Sequence, residues 1–134
     1  MAAETFTMAH ALKLRMISGQ FAICKLQPGE SIPSWAISGK IWSVTQTVTE
    51  LSIVCRQENI PQDVKAEGNW RILEVVGPLP FEMVGVLSAL ANPLAEKGVS
   101  IFTLSTFETD LILVQERSFE IACQTLIKSR HIIT

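Results

Sequence analysis

Excess positive charge is the first thing this chain lacks. Lysine and arginine number 11 against 13 acidic residues, giving a formal net charge of -2, and the two signs are intermixed. No basic face emerges, which argues against nucleic-acid binding. Aromatic residues make up only 7% and are scattered, so no aromatic-plus-basic stripe offers a platform for stacked bases. Cysteine is scarce and odd in number. Cys24, Cys55 and Cys123 lie far apart, which argues against a disulfide framework and against a zinc site. They read as small core residues in a reducing, cytoplasmic setting. Long uncharged runs are also missing. The central stretch from Met83 to Ala95 contains Pro93 and falls short of the roughly 20 residues a bilayer requires. The opening MAAETFTMAHALKL has no apolar core and carries Glu4, so it does not read as a signal peptide. No Gly-rich phosphate loop, nucleophile elbow or metal-ligand spacing occurs. His10 and His131 sit near the ends and are expected in solvent. Glu74 and Glu82 read as surface charges, and no histidine lies near Cys55 in sequence to activate it. Neither an enzyme nor a bound cofactor is therefore expected.

What is present is apolar residue. It makes up 48% of 134 residues, enough for a real core in one domain or two very small ones. The first half reads as strands. Leu12, Leu14 and Met16 alternate with Lys13, Arg15 and Ile17, Ser18-Gly19 signals a turn, and Phe21 to Leu26 is expected to pair back as a hairpin. Pro33 to Ile37 suits one helical turn, with Ser31 as cap and Trp35 inward. Ile41–Thr47 and Leu51–Arg56 read as strands, Asn59–Val64 as a second short turn, and Gly68-Asn69 as punctuation before a strand over Trp70–Val76.

The second half is richer. Val84, Leu87, Leu90, Ala91 and Leu94 follow helical spacing, with Gly98 as a left-handed end. Pro93 predicts a kink near Ser88–Asn92 or an early stop. A strand from Ile101, a polar turn and the run LILVQE follow. A last helix is expected over Ser118–Ser129, capped by Ser118 and buried through Ile121, Ala122, Thr125 and Leu126. A short strand over His131–Ile133 closes the pattern. This is the order of a ferredoxin-like βαββαβ unit. IWSVTQTVTELSIVC and IFTLSTFETDLILVQ share a layout, which marks a weak internal repeat with Ser43 and Thr106 in analogous places.

The turn after the strand from Ile101 gathers Ser105, Thr106, Thr109 and Asp110. Aspartate is poor in strands, so Asp110 either holds a ligand cation by charge-assisted hydrogen bonds or bonds its own turn. Gly85 stands in the first turn of the central helix. It either lets a ligand carboxylate approach free N–H groups or lets the helix pack closely.

WSVTQTVTELSIVC and FEMVGVLSALANPLAEKGVSIFTLSTFETDLILV resemble the ACT-domain superfamily, and in particular small tandem-ACT proteins related to the CASTOR arginine sensors and to aspartokinase regulatory domains. The pieces V-G-V-L, A-N-P-L-A-E-K-G-V-S-I and S-T-F-E-T-D carry the likeness, which covers most of the chain from Leu12. The resemblance implies an α+β protein of two ferredoxin-like units in tandem, the first with reduced helices. A tail over 1–10, a first unit over 11–67 and a second over 68–134 are expected. It also implies a non-catalytic sensor that holds a small molecule, an amino acid, between its units. The matching positions are Ser43 and Val44 in the first half, and Gly85, Thr106, Phe107 and Asp110 in the second. Thr109 departs from the pattern, because an arginine-sensing relative is expected to present an aromatic there. The ligand's carboxylate would meet the amides near Gly85 and its cationic end Asp110. A homodimer is expected, with no nucleic-acid or membrane partner. The other reading is a homodimeric interaction module without a ligand.

Overall fold

The computed structural model describes residues 9–134, so most of the tail expected over 1–10 lies outside the described residues. The strands are β1 (Lys13–Leu26), β2 (Ser43–Gln46), β3 (Leu51–Arg56) and β4 (Ala66–Val75). Then follow α1 (Val86–Glu96), β5 (Ile101–Ser105), β6 (Asp110–Gln115), α2 (Glu116–Lys128) and β7 (Ile132–Ile133). Internal contacts group the chain into two units. One joins the residues up to Ser18 with Ile72–Thr134, and the other is Gly19–Arg71. β1 and β4 run through both.

In the larger unit the helices cover a sheet with neighbours β1–β4–β6–β5, β5 at the edge, and β7 beside β1. β7 runs parallel to β1, pairing Ile132 with Lys13 and Ile133 with Leu14. The start of β1 thus joins the end of β4, β6, β5 and β7 in the sheet of the larger unit. The α+β ferredoxin-like class read from the sequence is the architecture found. The core is one apolar cluster that includes Leu14, Leu73, Leu90, Leu94, Ile112 and Leu126, all fully buried. Each side chain of this size contributes about 1.5–3 kcal/mol on burial.

Several local expectations are corrected. Ser18-Gly19 does not reverse the chain: β1 is continuous, with Gly19 at φ 97° inside it. That left-handed φ favours glycine, and the end of the Arg56 side chain lies where a Cβ would stand. Phe21–Leu26 instead pairs antiparallel with Arg56–Leu51 of β3. Gly68-Asn69 lies within β4, where Asn69 takes φ 65° and the Gln57 side chain bonds its N–H and amide oxygen.

The first short turn is a 3-10 turn over Ser34–Ile37, preceded by Pro33 without a side-chain cap, and Ala36 rather than Trp35 is fully buried. The second is over Gln57–Asn59. In α1 the buried row is Val86, Leu90 and Leu94, while Val84 and Leu87 are exposed. Gly85 sets this phase: its positive φ delays the helix start to Val86, and the i, i+4 row follows from there. Pro93 does not stop the helix, which runs to Glu96, and Gly98 follows at φ 72°. α2 begins at Glu116 with Gln115 before it, so Ser118 is no cap, and Ile121 is exposed while Ala122, Thr125 and Leu126 are buried.

His131 is not in solvent. It is 5% exposed, accepts the Leu12 N–H at Nδ1 (3.0 Å) and reaches the Ala89 carbonyl through Nε2 (3.2 Å).

The smaller unit packs Cys24, Ala36, Ile53 and Cys55, with Trp35, Val44 and Ile60 against them. Ala22 pairs with Cys55 and Cys24 with Ile53, so the two buried thiols are diagonal neighbours on one face. The Cys24 thiol bonds the Cys55 sulfur. That bond, with burial, pushes Cys24 well above the ordinary thiol range, and it pulls Cys55 down against burial.

Candidate functional site

The two hairpins repeat in detail. β2–β3 closes at Gln46 opposite Leu51, and β5–β6 at Ser105 opposite Asp110. In the first turn the Thr47 N–H bonds the Glu50 carbonyl at 2.8 Å, and Thr47 Oγ1 accepts the N–H groups of Thr49 and Glu50, each at 3.2 Å. In the second the Thr106 N–H bonds the Thr109 carbonyl at 2.8 Å, and Thr106 Oγ1 accepts the Thr109 N–H at 3.1 Å. Thr106 therefore corresponds to Thr47, not to Ser43, which takes the place of Phe102. The pairing of Ser43 with Thr106 read from the sequence was therefore four residues out of phase. In this alignment Leu51 stands where Asp110 stands, so only the second hairpin carries a carboxylate at its closing pair.

Beside the second hairpin lies a cleft of about 460 Å³. Its walls are the start of α1, the β5–β6 turn and the segment Leu79–Met83. Four of the residues singled out in the sequence line it: Gly85, Thr106, Phe107 and Asp110. Ser43 and Val44 do not. They lie on β2 in the smaller unit, where Val44 packs against the Cys24–Cys55 cluster. Asp110 is half-buried and accepts the Ser105 hydroxyl at 2.5 Å. Among the described residues no cation pairs with it. Among the described residues the cleft is lined by no lysine, arginine or histidine, and its charged lining residues are Glu108 and Asp110.

Opposite in character is the start of α1. Gly85 precedes the helix at φ 84°, ψ 14°, and its carbonyl takes the Ala89 N–H at 2.9 Å and the Ser88 hydroxyl at 3.2 Å. The N–H groups of Val86, Leu87 and Ser88 precede the first intrahelical donor and have no acceptor within the helix. Among the described residues no side chain caps them, and no acidic residue stands in the first turn. They form a partial positive charge suited to a carboxylate.

Thr109 Oγ1 donates to the Val75 carbonyl, so its hydroxyl fastens the turn to β4. The Leu79 N–H bonds the Glu108 carbonyl at 2.8 Å, which ties the preceding loop to the same turn. Sequence reasoning missed Phe81. Its ring lies 5.5 Å from that of Phe107, and the two are 78% and 83% exposed. Leu87, read as core, lines the cleft instead. The positive φ of Gly85 could have corrected that, since it shifts the helix start. The two surface glutamates behave as expected in one respect: Glu82 is exposed, and Glu74 pairs with Arg15 at 2.9 Å.

An ACT-domain family model matches residues 65–128, the stretch that contains this cleft. Over that stretch the chain belongs to the ACT-domain superfamily. A second family model, described as an N-terminal domain, matches residues 19–63. A crystallised Agobacterium tumefaciens protein is 36% identical, with a TM-score of 0.89 and 94% of each chain covered. The regulatory subunit of aspartate kinase from Thermus thermophilus shares the fold, with a TM-score of 0.58 at 11% identity over 87% of this chain and 95% of its own. Among curated relatives, the bovine cytosolic arginine sensor for mTORC1 subunit 1 is 31% identical over 66% of this ACT-domain chain and 30% of its own length. The human protein CASTOR3P is 30% identical over 65% of this chain and 61% of its own. The chain thus spans less than two thirds of the length of either. No described helix is long and apolar enough to cross a membrane.

Proposed function

We propose that this ACT-domain protein binds a free amino acid in the cleft beside α1 and reports its occupancy without doing chemistry. The observation that carries this is the pairing, in one cleft, of an uncapped helix start at Gly85 with the Asp110 carboxylate. The amides of Val86, Leu87 and Ser88 suit the ligand's carboxylate, and Asp110 suits its ammonium. Thr106 and Phe107 form the adjoining wall. For Ser43 and Val44 the cleft gives no support, and the proposal rests on the other four. The mechanism is linkage: a ligand that prefers one arrangement of the protein raises that arrangement's population by its differential affinity.

Thermal shift against the twenty amino acids tests it. A ligand present at 100 times its dissociation constant adds about 2.7 kcal/mol, and 1 kcal/mol moves the midpoint by roughly 2–8 °C. Unmoved melting curves for all twenty at millimolar concentration would remove free amino acids as ligands.

Among the described residues β5 lies at the edge of its sheet, a position that supports assembly into a homodimer. Light scattering is expected to return twice the 14.8 kDa chain mass, and a chain mass constant across micromolar concentrations would reject the dimer. A cytoplasmic setting, without nucleic-acid or membrane partners, belongs to the same proposal.

A further inference from the structure

The rim of the cleft sets two phenylalanines in water. Phe81 and Phe107 come from different segments, meet at 5.5 Å with a 41° tilt, and remain 78% and 83% exposed. Two large rings left in solvent bury little of their own surface, which makes the pair a waiting apolar contact. Leu79, Met83 and Leu87 line the same cleft and continue the apolar wall. Among the described residues the charged lining consists of two carboxylates, Glu108 and Asp110, with no basic side chain.

From this we infer that Phe81 and Phe107 form the side-chain subsite, and that the cleft selects amino acids with large apolar side chains over small ones and over acidic ones. The inference rests on the reading of the cleft as an amino-acid site. A zwitterion uses the helix start and Asp110 for its two charges. Its side chain then meets the apolar wall. A second carboxylate would find no cation and would stand near Glu108, so aspartate and glutamate are rejected by an unpaired charge as well as by shape. One methylene in an apolar pocket is worth about tenfold or more in discrimination, so leucine, methionine or phenylalanine should exceed alanine by at least that factor.

The test is calorimetric titration of wild type, Phe81→Ala and Asp110→Asn with glycine, alanine, leucine, phenylalanine, lysine and glutamate. Phe81→Ala is expected to weaken leucine or phenylalanine about tenfold and to leave glycine and alanine within a factor of about two. Asp110→Asn is expected to weaken every bound amino acid alike. Phe81 is exposed, so its loss leaves the core intact, and a denaturant melt of each variant checks the fold. Equal effects of Phe81→Ala on small and large ligands would overturn the subsite while leaving the amino-acid reading in place. Tighter binding of lysine than of leucine would overturn it in favour of a cationic side chain at Glu108. No binding of any amino acid to wild type would overturn both readings.

Discussion

The Ala89 carbonyl oxygen lies 3.2 Å from Nε2 of His131. The relationship follows from Pro93. A helical carbonyl normally accepts the N–H of the residue four positions on, and for Ala89 that residue is proline, which has none. His131 supplies the missing donor. Its tautomer is set by its other partner: the Leu12 N–H can only donate, so Nδ1 accepts at 3.0 Å and the ring proton sits on Nε2. One buried imidazole thereby ties α1, the start of β1 and the residue before β7 together.

His131→Ala removes both bonds and leaves a buried N–H and a carbonyl without partners. At about 1–3 kcal/mol for each of the two groups, the expected loss is about 2–6 kcal/mol in a urea melt. Adding Pro93→Ala to that variant restores an N–H for Ala89 and should recover part of the loss. Strict additivity of the two substitutions would contradict the account.

Thr106 Oγ1 holds the β5–β6 turn by accepting the Thr109 N–H, as Thr47 does for its own turn. Thr106→Val keeps the shape and removes the acceptor. Its expected cost is about 0.5–1.5 kcal/mol, with amino-acid affinity reduced because Phe107 and Asp110 sit on the same turn. A variant with full stability and full affinity would show that the hydroxyl does nothing for the site.

The Cys24–Cys55 pair predicts an alkaline limit. Its hydrogen bond and its burial raise Cys24 in the folded state, so the folded chain keeps a proton that the unfolded chain releases. The resulting stability is fully present below about pH 8.5, the ordinary thiol value, and is lost as pH rises above it. The slope is about 1.4 kcal/mol per pH unit for one retained proton. Replacing both thiols by alanine should flatten this part of the profile. Parallel pH profiles for wild type and the double variant would count against it.

Much of the fold was legible because it rests on local signals. Apolar periodicity placed α2 and β3 within two residues of their observed bounds, and Gly98 ended the central helix as a left-handed glycine should. Other features depended on partners distant in sequence. Ser18-Gly19 has the composition of a tight turn, yet Arg56 occupies the space beside Gly19 and the strand continues. β1 also enters the sheet of the larger unit, and no local pattern reveals that. The expected boundary at 67/68 falls inside β4, close to the gap between the two family matches, whereas the contacts assign the start of β1 to the larger unit. In the site, Asp110 stood out because a carboxylate in an apolar strand demands a partner. Phe81 did not, since its role depends on meeting Phe107 across the cleft.

The most direct test of the central claim is the affinity of Asp110→Asn for the amino acid that most stabilises wild type. Asparagine still accepts from Ser105, so the hairpin should close and the melt should stay near wild type. A hydrogen bond to a charged group is worth about 1.5–3 kcal/mol, and its loss should weaken binding roughly ten- to a hundredfold by calorimetric titration. Unchanged affinity in the folded variant would contradict the assignment of Asp110 to the ligand's cationic end.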